Sequence, residues 1–407
     1  MPSLHPTTST APMAAPVTQS RWRLILILAS LAAFGPLAID MYLPAFPQIT
    51  ADLKAPEGAV QLSLSVFLVG VALGQLIYGP LSDRVGRRRP LLFGMGLFAL
   101  AAAGCALAAT APALIGWRLV MALGGSAGMG LSRAVIRDKF TVQEAPDAFS
   151  MLAVVMGAAP ILAPLLGGQM LLLAGWRGIF GALVALGVAV WLAVWFWLPE
   201  SLPPEKRNTQ GAAATLAGYG RLLTNRAFMG YALVLGCNAG ALFTYITCAP
   251  HVFIELNGMS AQVFSVFFGV NALGMIGSAQ VNRWLLRRYS PRRILGVVLA
   301  LVLLAGALLA ACALAGVGGF PALVVLLFLT LASGGMVGPN ATALALAPVE
   351  REVGSAAALL GTIQFGMGGL AGALAGIGGA GSATPMCLML AACAAACFAA
   401  FRWMTSK

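Results

Sequence analysis

The sequence predicts an all-α membrane protein, with twelve transmembrane helices in two six-helix halves. The chain has 407 residues, of which 60% are hydrophobic and 9% charged, whereas soluble domains average about 25% charged residues. Its apolar residues fall in stretches close to the roughly 20 residues that a helix needs to cross a bilayer core. The predicted spans are 24–47, 59–80, 90–109, 112–132, 150–172, 178–198, 227–249, 261–282, 292–315, 320–345, 353–377 and 384–403.

The basic residues predict the orientation of these spans. With the N-terminus placed in the cytoplasm, 21 of the 24 Lys and Arg residues lie on that side, the exceptions being Lys54, Arg118 and Arg177. Cytoplasmic loops of membrane proteins are enriched in Lys and Arg, so both termini are expected inside. The net charge of +12 therefore indicates topology, and no nucleic-acid partner is expected.

Polar stretches divide the chain into four predicted parts. Residues 1–20 are rich in Ser, Thr and Pro and are expected to be a disordered cytoplasmic tail. Residues 21–198 form an N-terminal six-helix bundle, 199–226 a flexible cytoplasmic linker, and 227–407 a C-terminal six-helix bundle. The apolar run after Arg23 continues to Pro47, which is too long for a cleaved signal peptide.

Two charges lie deep inside predicted spans, Asp40 and Arg118. Asp40 precedes Pro47 by seven residues and Arg118 follows Pro112 by six, so both are expected roughly 10 Å below the outer surface. Equal depth and opposite sign predict a contact or a shared cavity. Burial disfavours a charged carboxylate and a nearby guanidinium favours it, so Asp40 could load and release a proton as its surroundings change. The alternative is a static ion pair that fixes two helices.

The turn between the second and third spans carries the most specific motif, G-x-L-x-D-R-x-G-R-R-R at 79–89. Opposite charges bundled at a helix end can hold one conformation through charge-assisted hydrogen bonds. The alternative is an anchor to anionic lipid headgroups, which leaves the spacing of acid and glycine unexplained. The predicted latch residues are Gly79, Asp83, Arg84, Gly86, Arg87 and Arg88.

This turn resembles the signature loop of the major facilitator superfamily, and further segments resemble its Bcr/CflA group of drug:proton antiporters. These segments are 40–47, 338–341 and 354–364. The segment 118–128 is similar to the proton-transfer motif of the superfamily, with Met121 where Gln is common. The fifth span is similar to the antiporter motif, with Ala163 where Gly is usual. The motif residues in this span are Gly157, Pro160, Pro164, Gly167 and Gly168. The resemblance implies the major facilitator fold, small drug-like substrates and coupling to protons.

Polar and aromatic residues inside the spans are candidates for a substrate cavity. A mostly apolar pocket with a few hydrogen-bonding groups is typical of small-molecule sites, although most aromatic residues in spans face lipid or neighbouring helices. The candidates are Tyr42, Asn238, Phe243, Tyr245, Asn271 and Gln364.

These observations together predict a proton-coupled multidrug efflux transporter, a drug:H+ antiporter of the bacterial inner membrane that works by alternating access. A proton from outside would protonate Asp40 and weaken its pairing with Arg118. The alternative is a proton-coupled exporter or symporter of a small metabolite such as an amino acid or a sugar. An enzyme is not expected, because the G-x-S-x-G match at 124–128 has no histidine partner, the only histidines being His5 and His251. We expect a monomer without a metal or a cofactor, driven by the proton gradient.

Overall fold

The computed structural model describes residues 18–56, 58–141, 144–207, 212–349, 353–377 and 381–404. Within these ranges the chain is almost entirely helical and contains no strand. Most of the predicted N-terminal tail, 1–17, lies outside the described residues, and residues 18–20 already belong to the first helix.

The helices follow one another with short connections, which is typical of antiparallel neighbours in a bundle. A 3₁₀ turn at Leu43–Ala45 follows the first of them, and a π-helical turn at His251–Leu256 follows the eighth. The α-helices of the described chain are α1 Thr18–Asp40, α2 Phe46–Asp52, α3 Ala59–Val85, α4 Arg88–Ala106, α5 Ala111–Lys139, α6 Ala145–Trp197, α7 Ala212–Thr224, α8 Arg226–Pro250, α9 Ala261–Leu285, α10 Pro291–Ala315, α11 Gly319–Leu346, α12 Val353–Ile377 and α13 Thr384–Met404.

Eleven helical segments of the described chain are long and apolar enough to cross a membrane. One of them, α6, is 53 residues long and contains Gly175 at φ 66° and ψ −175°. Glycine adopts positive φ without steric cost, and the helix is interrupted there. The part of α6 before Gly175 (145–174, the first arm) and the part after it (176–197, the second arm) are therefore two crossings, which confirms the predicted total of twelve.

The helix ends differ from the predicted spans in two ways. The first span was predicted to reach residue 47, but α1 ends at Asp40. Pro44 and Pro47 follow, and proline cannot donate to the helical hydrogen-bond ladder. On the opposite side, α3 and α5 continue past residues 80 and 132 to Val85 and Lys139, because a helix can extend beyond the apolar layer that hydropathy detects.

The predicted linker contains a helix, α7, which the sequence analysis did not identify. The segment is rich in Ala and Leu, which are strong helix formers. Leu222 is buried, and α7 packs against α8 and α12. Residues 208–211 lie outside the described residues.

Two helix pairs make the main contacts between the first six crossings and the last six. In one seam α3 packs against α12, and in the other the first arm of α6 packs against α9. The side of the bundle that holds α2 is closed, since α2 packs against the π-helical turn and the 3₁₀ turn packs against α8 and α9. The charge distribution predicts that this side is the outer one.

Small residues allow the seam between α3 and α12 to close. A Cβ atom added at Gly369 would lie 2.8 Å from the backbone oxygen of Ser65. One added at Gly361 would collide with the amide of Gln75. Thr362 adds a hydrogen bond from its hydroxyl to the carbonyl of Ala72, 3.2 Å long. Close backbone approach through small residues is how membrane helices associate.

Candidate functional site

Arg118 lies fully buried on α5 and binds the end of α1. Its Nη1 donates a 2.8 Å hydrogen bond to the carbonyl of Ala38, one of the last four carbonyls of α1, which have no partner within the helix. The guanidinium carbon lies 4.5 Å from the ring centre of Tyr42 and 4.3 Å from that of Phe67. Its Nε and Nη2 atoms have no hydrogen-bond partner in the described part of the chain. Arg118 therefore caps a helix between two aromatic rings.

Asp40 is also buried, at 4% exposure, but it forms no ion pair with Arg118 in the described structure. The expected pairing is therefore wrong for this conformation. Counting residues predicts depth in the membrane, but it does not predict the direction of a side chain around the helix. Arg118 binds the backbone carbonyl of Ala38, which points along the axis of α1 as helix carbonyls do, whereas a side chain such as that of Asp40 points away from the axis.

The chain directly after Asp40 packs against the other half of the protein. The 3₁₀ turn that follows α1 contacts α8, which carries Tyr245, and α9, which carries Asn271. The Tyr245 hydroxyl accepts a 2.9 Å hydrogen bond from Nδ2 of Asn271 on α9, and the Tyr245 ring stacks on Phe268 with centres 5.6 Å apart. Asp40, Tyr245 and Asn271 therefore lie on elements that come together at the 3₁₀ turn after α1. We call these three residues the cross-half cluster.

The other cavity candidates are more dispersed. Tyr42 is fully buried and shares a 2.9 Å hydrogen bond with Ser63, so it offers no surface to a ligand in this conformation. Phe243 packs on Phe365, with ring centres 5.7 Å apart. Asn238 lies beside α11 and Gln364 is partly buried on α12. A role of these residues in substrate binding stays a prediction.

The glycines of the antiporter motif lie on two sides of the first arm of α6. A Cβ atom added at Gly167 would collide with the backbone oxygen of Met41, directly after Asp40. Gly168 and Gly157 face α9, where added Cβ atoms would contact Ser265 at 3.4 Å and Ile276 at 3.7 Å. One helix thus supports the turn that follows Asp40 and also forms a seam with the other half.

The prolines of the motif lie between these glycines. Pro164 has no N–H group, so the carbonyl of Pro160 lacks its usual partner in the helix and the helix can bend there. The carbonyl of Pro164 accepts a 3.0 Å hydrogen bond from the hydroxyl of Ser265 on α9. This bond joins the two halves close to the cross-half cluster.

At the opposite end of the molecule, Arg87 is the centre of the predicted latch. Its Nε donates to Asp138 at 2.9 Å and its Nη1 donates to the hydroxyl of Ser82 at 2.6 Å. The same Nη1 forms an ion pair with Asp83. These charge-assisted bonds join the end of α3 to the end of α5. Asp138 and Ser82 were not predicted as latch residues, although Asp138 ends α5 between two basic residues.

Glu200, after the second arm of α6, completes this network. Its carboxylate accepts hydrogen bonds from the backbone N–H groups of Arg87 at 2.8 Å, Ser201 at 2.9 Å and Leu202 at 3.0 Å. The backbone N–H of Arg88 donates a longer bond of 3.3 Å to the same carboxylate. Burial acts to raise the pKa of Glu200, but the backbone donors outweigh it and the pKa is lowered. Gly86 makes this approach possible, because its φ is +97° and an added Cβ would collide with the carboxylate.

The remaining latch residues contact several elements. Arg88 donates to the carbonyl of Trp195 at 2.6 Å. A Cβ atom added at Gly79 would lie 3.8 Å from Ala358 of α12. The Nε of Arg84 is buried and has no partner in the described chain.

Asp83 connects the latch to the linker helix. Its side chain is 44% exposed, and α7 carries Tyr219 nearby. Burial is the larger cause that raises the pKa of Tyr219, and the negative charge of Asp83 raises it further. The latch turn therefore lies against seam helix α12, and Asp83 affects the pKa of Tyr219 on linker helix α7.

The outer end has a smaller network that the sequence analysis did not identify. Trp176 donates its indole N–H to Asp52 at 2.8 Å and its backbone N–H to the Gln48 side chain at 3.0 Å. Arg177 lies 3.5 Å from Asp52 and over the Trp176 ring. These contacts fix α2 against the turn at Gly175.

Comparisons with known proteins agree with this architecture. The sequence pattern described as Major Facilitator Superfamily matches residues 26–373. The chain is 41% identical over 367 residues to the Uncharacterized MFS-type transporter YdgK of Bacillus subtilis, covering 89% of this chain and 90% of that protein. It is 28% identical over 389 residues to the Bicyclomycin resistance protein homolog of Haemophilus influenzae, covering 96% and 98%.

A solved structure extends the comparison to three dimensions. The structure of the D-xylose-proton symporter matches with a TM-score of 0.71 at 14% sequence identity, covering 95% of this chain and 98% of that chain. At this identity the match shows the fold alone. The proteins that resemble this chain are transporters and not enzymes. The chain therefore belongs to the major facilitator superfamily and is a multi-pass membrane transporter of the Bcr/CflA type.

Proposed function

We propose that this transporter exports drug-like molecules in exchange for protons, and that Asp40 carries the proton. The observation that carries the proposal is the position of this one acid. Asp40 lies in an apolar span, next to the 3₁₀ turn that packs against α8 and α9, and it has no cationic partner among the described residues. Acids inside the membrane usually mark proton or ion pathways.

The physical basis is the free energy of placing a carboxylate in an apolar site. A charge at the centre of a membrane helix costs at least about 2.5 kcal/mol. Asp40 is also the last residue of α1, and the C-terminal end of a helix dipole disfavours an anion. The outer-closed conformation therefore favours a protonated Asp40, and a charged Asp40 favours an opening that admits water.

This preference supports a cycle of proton–drug exchange. With the outer side open, Asp40 takes a proton from outside and the drug leaves. The protonated carboxyl is then sealed as α1 closes against α8 and α9. On the cytoplasmic side the proton leaves, a new drug molecule binds, and the charged carboxylate favours reopening outward. Arg118 acts in this cycle by holding the end of α1 in place.

The substrate class follows from the candidate cavity and from the relatives. The cavity candidates are aromatic or neutral polar residues, which suit uncharged or weakly charged organic molecules. A relative that is similar over nearly the whole chain is named for bicyclomycin resistance. We further propose a monomer in the bacterial inner membrane with both termini in the cytoplasm, in agreement with the side that carries most arginines.

The proposal is tested by substrate-dependent proton flux in reconstituted vesicles with a panel of drugs. Asp40→Asn should abolish exchange and leave the protein folded, because asparagine cannot release a proton. Glu205→Gln is the matched control, since Glu205 is an exposed linker acid, and it should exchange normally. Undiminished exchange in Asp40→Asn would refute the role of Asp40. If expression in a pump-deficient bacterium changed tolerance to none of the drugs, a metabolite carrier would be favoured instead.

A further inference from the structure

A groove that none of the substrate-cavity candidates lines lies between α10 and α13, at the end of the molecule that carries the arginine-rich turns. It has a volume of about 710 Å³, and three arginines line it, Arg292, Arg293 and Arg402. The first two belong to the first turn of α10 and the third to the last turn of α13. The structure thus places three guanidinium groups at one end of an open groove.

The other end of the groove is apolar and faces outward from the bundle. Val297 and Leu301 line it from α10, each with 57% of its surface exposed, and Phe398 lines it from α13. Gly296 allows the helices to approach, since an added Cβ would lie 3.2 Å from the ring of Phe401. With a rise of 1.5 Å per residue, the groove extends about 13 Å along α10 from its charged end to Leu301.

The charge of this region favours an anionic occupant. After residue 257 the sequence contains eight basic residues and two acidic ones, Glu350 and Glu352. No acidic residue is among the described residues that line the groove. Guanidinium groups bind phosphate through paired, charge-assisted hydrogen bonds, and basic pockets between helices at the cytoplasmic surface suit anionic headgroups.

We propose that this groove binds one anionic phospholipid, with its phosphate at the arginines and its acyl chains along α10 and Phe398. A free phosphate would use only the charged end, and a zwitterionic lipid would gain less from the three arginines. The occupant is therefore an amphiphile whose charge and length match both ends of the groove. The site is independent of the transport pathway and does not depend on the proposed proton exchange.

The test is retention of phosphatidylglycerol by the full-length protein. The protein is reconstituted in phosphatidylcholine containing a small fraction of phosphatidylglycerol, extracted mildly, and weighed intact by native mass spectrometry. The wild type should retain one phosphatidylglycerol. Each arginine near an anionic headgroup contributes about a fivefold gain in affinity, so Arg293→Gln with Arg402→Gln should lower retention by roughly tenfold or more.

Two controls separate the groove from general surface charge. Arg283→Gln with Arg287→Gln removes the same charge from the neighbouring turn and should retain lipid as the wild type does. Ala300→Trp keeps every charge, but it fills the apolar part of the groove, where Ala300 is exposed, and should also lower retention. Equal loss in both double variants, or normal retention in Ala300→Trp, would overturn the proposal.

A second copy of the chain could also cover this groove, and the same samples decide this. Light scattering after size-exclusion chromatography should give the same monomer mass for the wild type and for Ala300→Trp. A wild-type dimer that Ala300→Trp converts to a monomer would assign the groove to a protein interface and overturn the lipid site.

Discussion

Asp40 and Arg118 differ in what they contact, although they were expected at the same depth. Arg118 uses one nitrogen to bind the carbonyl of Ala38 and lies between two aromatic rings. Asp40 forms no ion pair with Arg118, and the 3₁₀ turn that follows it packs against α8 and α9 of the other half. The burial of both residues could be predicted from their positions inside apolar spans. Their partners could not, because the end of α1 at Asp40 determines which atoms Arg118 can reach.

A double-mutant cycle distinguishes these contacts from the expected ion pair. Asp40→Asn and Arg118→Gln should change the free energy of unfolding in detergent almost additively, with a coupling below about 0.5 kcal/mol, since the two side chains share no partner. The matched cycle, Tyr42→Leu with Arg118→Gln, should show a coupling of about 1 kcal/mol from the lost cation–π contact. A larger coupling for Asp40 than for Tyr42 would contradict the structure.

At the scale of elements, the turn between α3 and α4 connects the ends of α3, α5 and α6. Arg87 contacts Asp83 and Asp138, and Glu200 binds the N–H groups that begin α4. The charged turn could be predicted from its unusual spacing. Its partners Asp138 and Glu200 could not, because they lie 51 and 113 residues away from Arg87, and no local pattern connects such distant positions.

The two latch glycines should respond differently to alanine. Gly86→Ala forces a side chain into positive φ and against Glu200, so it should lower the free energy of unfolding by about 1–3 kcal/mol. Gly79→Ala places its methyl group at an ordinary contact distance from Ala358, and it should change stability by less than about 0.5 kcal/mol. Thermal unfolding in detergent measures both variants. Equal midpoints of thermal unfolding for the two variants would show that the turn does not require glycine at position 86.

At the scale of the whole molecule, twelve crossings could be predicted because apolar length alone requires them. The seams and the closed outer side could not, since they depend on which faces of α3, α6, α9 and α12 meet. The linker helix α7 was missed for a related reason. The helix α7 packs against α8 and α12, and burial of apolar side chains such as Leu222 depends on this tertiary packing.

The protonation of Asp40 should control whether the outer side is open. Spin labels at Lys54 and Leu256, exposed on the outer ends of the two halves, report the distance between the halves by electron paramagnetic resonance. Acidification should increase the population with short distances in the wild type. Asp40→Asn should hold the short distance at every pH, because its amide mimics the protonated acid, whereas Glu205→Gln should behave like the wild type. The same pH dependence in Asp40→Asn would contradict the proposal.

The burial of Asp40 also has a consequence for ion leakage across the membrane. At 4% exposure, the acid has almost no contact with external water while the outer side is closed. In the proposed cycle, a proton bound to Asp40 therefore moves only when the conformation changes. Such a protein would pass protons one at a time and would not form a continuous water-filled channel through the bilayer.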